Sequence, residues 1–181
     1  MSSEELAGIK QLAEMPYSGI REEKETDYKP KNRTLEVDSS PQLEKLEEEF
    51  KTLKEYNAYE GQLVCLSKIL KIKGNNPSAL FNKGTILLKL EKYEDAINAF
   101  NEKMLSVTTD ADTYYNKAIA HNELKQWDEV VYAAKKAREI NPKLVDAWRL
   151  EGSALDDLEK YEDAIACFDK AIELEKDTTI L

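Results

Sequence analysis

Side chains able to do chemistry are few in this chain, and their spacing assembles neither a catalytic nor a metal site. His121 is the single histidine, and no cysteine accompanies it at the spacing of a zinc motif. Asp110 and Asp112 resemble the start of a calcium loop, but the glycine and terminal glutamate of such a loop are missing. The pattern therefore favours a packed, hydrogen-bonded histidine and predicts no metal.

Phosphate binding and covalent catalysis lack their usual signals as well. Neither GxxxxGK[ST] nor GxGxxG occurs in the sequence. The carboxylate pairs Glu94-Asp95 and Asp156-Asp157 are sequence neighbours, which point in different directions on a helix. Such pairs are typical of solvated helix faces. We therefore predict that the protein is not an enzyme and needs no cofactor.

A period of 34 residues organises most of the chain. Its clearest mark is an aromatic residue at one position of every unit: Tyr59, Tyr93, Trp127 and Tyr161. A fixed period of this size indicates a repeat protein, in which each unit is one small supersecondary element. Around the last aromatic the repeated residues are Trp148, Gly152, Leu155, Ala164, Phe168 and Ala171.

Each unit predicts two helices joined by a short turn. In the last unit Trp148, Gly152 and Leu155 share one helical face, and a second stripe begins at Tyr161. The small residue at the helix crossing allows close packing, and Phe168 is predicted to lie in the core. The predicted helices cover 43–57, 59–73, 77–90, 93–106, 111–124, 127–140, 145–158 and 161–176.

The spacing W-x3-G-x2-L-x5-Y-x2-A-x3-F-x2-A, present at 148–171, resembles the tetratricopeptide repeat. The resemblance implies an all-α solenoid, a right-handed superhelix of antiparallel helix pairs. Phe50 and Gln62 depart from the pattern in the first unit. Lys103 stands where the family has alanine, which predicts a locally opened or extended helix end. The implied units lie near 43–76, 77–110, 111–144 and 145–178.

The first 41 residues differ from the repeat domain, which we place at 42–181. The segment is polar and charged, with few apolar residues after Ile20. Two interpretations stay open: a flexible, solvated arm, or an arm docked through Met15, Tyr17 and Ile20.

Charge and hydrophobicity exclude further classes of protein. Of the 181 residues, 41% are hydrophobic and 34% charged, and the net charge is −10 with lysines and arginines scattered among acids. Nucleic-acid binding usually needs a basic stripe, so we do not expect it. No apolar run is long enough to span a membrane, and no signal peptide is apparent. Cys65 and Cys167 occupy one repeat position three units apart, too far to bridge, which favours a cytoplasmic protein with reduced thiols.

The resemblance implies a protein-interaction scaffold in which the first helix of each pair lines a concave groove. This groove would receive a peptide or helix of a partner protein. Phase within the repeats predicts an apolar centre and an acidic carboxyl-terminal half, so the expected ligand has apolar side chains followed by basic ones. The predicted groove residues are Phe81, Asn82, Thr85, Leu88, Lys89, Asp112, Tyr115, Asn116, Ile119, Asn122, Glu123, Asp146, Arg149, Ser153, Asp156 and Asp157.

One variant of the family clamps the terminal carboxylate of heat-shock chaperones, and this chain keeps little of that clamp. Asn82 and Asn116 match one of its asparagines in phase. The remaining positions do not match, so a chaperone clamp is not expected. They hold Glu47, Lys51, Asp146 and Leu150 instead of the required lysines, asparagine and arginine.

The alternative function is self-assembly through the last helix. That helix has more apolar positions than one stripe requires: Ile165, Cys167, Phe168, Ile172 and Leu174. Repeat arrays need polar end caps, so a surplus at the end suggests pairing with a second copy. The prediction is a homodimer through residues 161–176.

Overall fold

The computed structural model describes residues 40–106 and 110–179 of the chain. Within these ranges the structure is all helical and contains no strand. The predicted arm lies outside the described residues as far as position 39, whereas Ser40 and Pro41 already belong to the first helix. The helices are α1 Ser40–Glu55, α2 Tyr59–Ile72, α3 Pro77–Lys89, α4 Tyr93–Ser106, α5 Ala111–Glu123, α6 Trp127–Ile140, α7 Val145–Asp157 and α8 Tyr161–Thr179.

The helix predictions are confirmed, with the largest differences at the two ends of the array. Helix α1 begins three residues before the predicted 43, and α8 ends three residues after the predicted 176. Pro41 explains the early start, since proline fits the first turn of a helix, where its missing N–H has no partner to lose. The architecture is an α-solenoid of antiparallel helix pairs, and its handedness stays a prediction.

The chain divides into two compact units at Gly74. In the described part of the first unit, α1 and α2 pack around Leu53, which is completely buried. Gln62 replaces the small residue of the repeat pattern, and its side-chain N–H donates to the Leu53 carbonyl oxygen at 3.1 Å. The buried amide is therefore satisfied, which explains how the degenerate unit keeps a helix pair.

The second unit contains α3 to α8. Side chains cap two of its first helices: Asn76 accepts a hydrogen bond from the Ala79 N–H at 3.1 Å, and Asp110 accepts one from the Thr113 N–H at 2.7 Å. Each cap satisfies an N–H that has no partner within its own helix. These caps fix where α3 and α5 begin.

A left-handed residue closes the turn within every helix pair. The φ angles are 53° at Asn57, 58° at Glu91, 56° at Lys125 and 59° at Glu159, so the position recurs every 34 residues. After α5, the Gln126 N–H donates to the His121 carbonyl at 3.0 Å and the Lys125 N–H to that of Asn122 at 2.9 Å. This pair of bonds is the Schellman motif. The same turn conformation therefore joins the two helices of each described pair.

Two expectations about packing were wrong. Phe168 is 37% exposed, although its position predicted a core residue. Lys103 does not open its helix: α4 continues to Ser106, and the lysine is 8% exposed. Its ammonium group donates to the Asp110 carboxylate and to the Thr113 hydroxyl. None of the described helices is both long and apolar enough to cross a membrane.

Candidate functional site

The first helices α3, α5 and α7 together carry all sixteen predicted groove residues. These residues form two sets that differ in exposure. The half-buried set comprises Phe81, Asn82, Thr85, Leu88, Tyr115, Asn116, Ile119 and Asn122, and the exposed set comprises Lys89, Asp112, Glu123, Asp146, Arg149, Ser153, Asp156 and Asp157.

The apolar part of this surface is anchored on the core at Phe81. Its half-buried ring lies against the completely buried ring of Phe100, with centroids 6.2 Å apart and planes tilted by 56°. The Lys103 ammonium lies 4.8 Å from the centroid of the Phe81 ring. A cation at this distance over an aromatic face is attracted by the ring. Phe81 is therefore held in place from two sides while part of it stays accessible.

A pocket of about 470 Å³ opens beside Phe81. Sequence reasoning missed Lys103 and Asp110 as lining residues because they lie at the end of α4 and at the cap of α5; the one signal was lysine in place of the family's alanine. The lining residues are Pro77, Ser78, Phe81, Asn82, Lys103, Asp110 and Asp112.

Both carboxylate oxygens of Asp110 already accept hydrogen bonds from residues of the chain. One carboxylate oxygen accepts from both the N–H and the hydroxyl of Thr113, each at 2.7 Å, and the other accepts from Lys103. Burial raises the pKa of Asp110, but the bonds from Lys103 and Thr113 lower it more, so its pKa lies below the ordinary value. Asp112 is exposed and makes no ion pair with a described residue. It is therefore the carboxylate of this pocket that can meet a ligand.

Tyr115 connects the apolar and acidic parts of the surface. It is half-buried in α5, and its pKa is raised by burial and by the negative charge of Asp146, against the opposing effect of Arg149. The Tyr115 hydroxyl is therefore within the electrostatic influence of charged residues of α7. The surface thus continues from α5 to α7.

Some of the predicted charged residues are partly engaged within the chain. Arg149 pairs with Asp146 at 3.3 Å and also with Glu175 of α8. Burial and the nearby negative charge of Glu123 raise the pKa of Tyr93 in α4. Neither Asp156 nor Asp157 makes an ion pair with a described residue, so these two acids form the accessible negative end.

A buried ion pair that sequence reasoning did not identify joins α6 to α7. Arg138 donates to both carboxylate oxygens of Glu151, at 3.1 Å through Nη2 and through a second bond from Nε. The Glu151 side chain is 5% exposed, and the guanidinium of Arg138 also lies 4.1 Å from the centroid of the Trp148 ring. The pair joins α6 to α7, the helix that also carries Asp146 and Arg149.

His121 is buried at 7% exposure, as predicted from its inward repeat position. Its Nδ1 lies 2.6 Å from the side-chain oxygen of Gln126. No described residue accepts or donates a hydrogen bond at its Nε2. In the part of the chain that the structure describes, no three histidine, cysteine, aspartate or glutamate side chains gather as metal ligands.

Comparison with known families identifies the repeat. Profiles of the tetratricopeptide repeat match residues 145–177 and residues 77–102. Residues 77–102 and 145–177 are therefore tetratricopeptide repeats. The matched ranges coincide with α7–α8 and with α3 and most of α4, which are the pairs with a glycine at the helix crossing.

Similar proteins agree with this tetratricopeptide repeat assignment. Small glutamine-rich tetratricopeptide repeat-containing protein 2 of Saccharomyces cerevisiae is 33% identical over 108 residues, which is 60% of this chain and 28% of the yeast protein. The chain therefore spans less than a third of that relative. The crystal structure of MamA superposes with a TM-score of 0.74 at 21% identity, over 80% of this chain and 85% of MamA.

A second solved structure resembles a smaller part of the chain. The second tetratricopeptide repeat domain of Spaghetti (RPAP3), bound to the HSP90 peptide SRMEEVD, has a TM-score of 0.52 at 21% identity. The likeness covers 54% of this chain and 91% of that domain. At this identity both structural likenesses concern the fold alone.

Proposed function

We propose that this tetratricopeptide repeat protein is a non-catalytic interaction scaffold of the cytoplasm. It binds a peptide or helix segment of a partner protein along the groove formed by α3, α5 and α7. One observation carries the proposal: half-buried apolar side chains on α3 and α5, centred on Phe81, Tyr115 and Ile119, continue into exposed carboxylates on α5 and α7. Aromatic anchors of this kind concentrate binding energy, while exposed charges orient the ligand.

The charges of the surface favour a ligand with basic residues. Asp112, Asp156 and Asp157 have no ion-pair partner among the described residues, whereas Arg149 is paired with Asp146 and Glu175. The RPAP3 domain holds a peptide that ends in Glu-Glu-Val-Asp, so three of its last four residues are acidic. Such a peptide would meet like charges here, so we propose a segment with one or two large apolar side chains followed by lysine or arginine.

The experiment measures fluorescence anisotropy of three labelled peptides: one with Trp and Leu before three lysines, one with the lysines replaced by glutamates, and SRMEEVD. We expect the first peptide to bind most tightly. Tyr115→Ala should weaken it at least fivefold, which corresponds to about 1 kcal/mol. Asp156→Lys combined with Asp157→Lys should mainly slow association and reduce its salt dependence.

The matched control is Tyr132→Ala, because Tyr132 is 54% exposed on α6 and lies outside the groove. Its affinity should equal that of the wild type. Equal affinity of the wild type and the groove variants, or tighter binding of SRMEEVD than of the basic peptide, would reject the proposal.

The second candidate function is self-assembly through α8. Exposed side chains on that helix support an interface there, since Ile165 and Ile172 are 59% and 47% exposed. The negative charge around these side chains argues against a second copy of the chain as the occupant of this surface.

A further inference from the structure

Helix α8 exposes an apolar stripe of four side chains. Tyr161 is 57% exposed, Ile165 59%, Phe168 37% and Ile172 47%. Their spacing of four, three and four residues places them on one side of the helix. This stripe is separate from the groove of α3, α5 and α7.

In the preceding pair, the equivalent stripe lies on α6 and packs against helix α7. Thirty-four residues earlier, α6 has Trp127, Val131, Ala134 and Arg138 at these positions. Leu150 and Ala154 of α7 join Trp127, Val131 and Ala134 in one apolar cluster, and Glu151 of α7 bonds Arg138. The stripe of α8 therefore has the form of a helix-binding surface, but α8 is followed by no further described helix.

One difference between α8 and α6 affects which partner helix the surface would bind. Ile172 stands where α6 has Arg138, so a helix seated on α8 gains nothing from an acid at the place of Glu151. An acid there would be desolvated against an apolar side chain, which is unfavourable. The surface therefore favours a helix with an uninterrupted apolar stripe.

The surroundings of the stripe are strongly acidic. Residues 145–179 contain eleven aspartates and glutamates against four lysines and arginines, a net charge of −7 out of −10 for the whole chain. Glu162 and Asp169, beside the stripe, make no ion pair with a described residue. Pairing two copies through α8 would bring two regions of net charge −7 together, and they would repel each other. A helix with basic flanks would be attracted to the same surface.

We infer that the stripe Tyr161, Ile165, Phe168 and Ile172 is a docking site for an amphipathic helix of a partner protein. The partner helix carries one apolar stripe flanked by lysines or arginines. It adds to the array as α7 adds to α6. The site is independent of the groove proposed above, so each can fail without the other.

The test uses a labelled probe peptide that copies α7, Val145–Asp157, with Glu151→Leu and with Asp146, Asp156 and Asp157 each replaced by lysine. A lactam bridge on its outer side keeps it helical, because isolated helices of this length are marginal in water. The full chain should bind it with 1:1 stoichiometry, and rising salt should weaken binding. Ile172→Glu and Ile165→Glu should each weaken it at least tenfold.

Ile140→Glu is the matched control, since Ile140 is 48% exposed on α6, close to the 47% of Ile172, and lies outside the stripe. It should bind the probe within twofold of the wild type. A version of the peptide that keeps its three aspartates should bind at least tenfold more weakly than the lysine version.

Three other results would overturn the inference. Absence of binding, or equal binding by the Ile172→Glu chain, would show that the stripe is not the site. A wild-type dimer in sedimentation that Ile172→Glu converts to monomer would identify a second copy as the occupant. A tenfold gain in probe affinity from Tyr17→Asp with Ile20→Asp would identify the chain's own amino-terminal segment as the occupant.

Discussion

Gly84 packs so closely against the Phe100 ring that no residue with a Cβ atom fits at position 84. A Cβ atom at Gly84 would lie 2.7 Å from Cζ of the Phe100 ring, closer than real Cβ contacts. Phe100 is completely buried and cannot move aside. The equivalent pair behaves differently: a Cβ at Gly152 would lie 2.9 Å from the ring of Phe168, but that ring is 37% exposed and has room to shift outward.

We therefore expect Gly84→Ala to destabilise the protein and Gly152→Ala to be nearly neutral. Overpacking costs about 1–3 kcal/mol, whereas alanine gains about 1 kcal/mol over glycine in a helix. Only at Gly152 can a small ring shift let the gain offset the cost. Urea unfolding of both variants measures the difference, and a Gly84→Ala variant as stable as Gly152→Ala would contradict it.

The left-handed turn residues predict a stabilising substitution. Lys125 has a φ angle of 56° between α5 and α6, a conformation that costs a residue with a Cβ about 1–2 kcal/mol. Glycine adopts it freely. Lys125→Gly should therefore raise the free energy of unfolding by about 0.5–1 kcal/mol. Asn57→Gly should gain less, because asparagine tolerates this region, and thermal melting compares the two.

Much of the fold could be predicted because the repeat copies one pattern of apolar and small residues. The recurring aromatic residue fixes the phase of the repeat. The second helix of each pair begins at this residue, as expected: Tyr59, Tyr93, Trp127 and Tyr161. The exposure of Phe168 could not be foreseen, because the phase identifies a face of the helix but not whether a further helix covers it. The Arg138–Glu151 pair also escaped prediction, since lone charges in a helix usually face solvent.

The phase of the repeat predicts which residues share a helix face, but not the polar contacts that their side chains make. The groove residues remain a prediction, since their phase was read from Leu80, Gly84 and Leu87. The hydrogen bonds from Lys103 to Asp110 and Thr113 depend on a side chain that reaches from the second helix of one pair to the first helix of the next. The phase of the repeat does not predict such contacts between helices of neighbouring pairs.

Asp110 should contribute to stability in a pH-dependent way. Its folded-state pKa lies below the ordinary value, which is about 3.9 in an unfolded chain. Its charge therefore stabilises the fold above that value, and this stability is lost as pH falls through the folded pKa. Asp110→Asn keeps a capping side chain but does not titrate. Its urea midpoint should fall less steeply below pH 4 than that of the wild type.

Asp112→Asn is the control for this measurement, because Asp112 is exposed in the same turn and pairs with no described cation. Its pH profile should follow that of the wild type. A wild-type profile from Asp110→Asn would show that the Lys103–Asp110 bond contributes no measurable stability.

The two cysteines should report on the two compact units separately. Burial raises the thiol pKa to about 11 at Cys65 and about 11 at Cys167, so native thiols should react slowly with maleimide at pH 8. Cys65 lies in the unit that ends at Gly74 and Cys167 in the unit that follows. Because one helix pair buries little apolar surface by itself, Cys65 should become reactive at lower urea.

Single-cysteine variants, Cys65→Ser and Cys167→Ser, assign the labelling in each case. Simultaneous labelling of both thiols at every urea concentration would mean that the units unfold together. Rapid labelling without urea would contradict the burial of the thiol concerned.

The Arg138–Glu151 pair should be costly to break singly and inexpensive to replace as a whole. Removing one partner leaves the other with unmet hydrogen bonds in a largely buried place, so Arg138→Leu and Glu151→Leu should each cost about 2–4 kcal/mol. Replacing both by leucine leaves no orphaned charge, and the chain itself has isoleucine, Ile172, at the position equivalent to Arg138. The double variant should therefore be more stable than either single one. A double-mutant cycle from urea unfolding measures this, and strictly additive losses would show that the two side chains act independently.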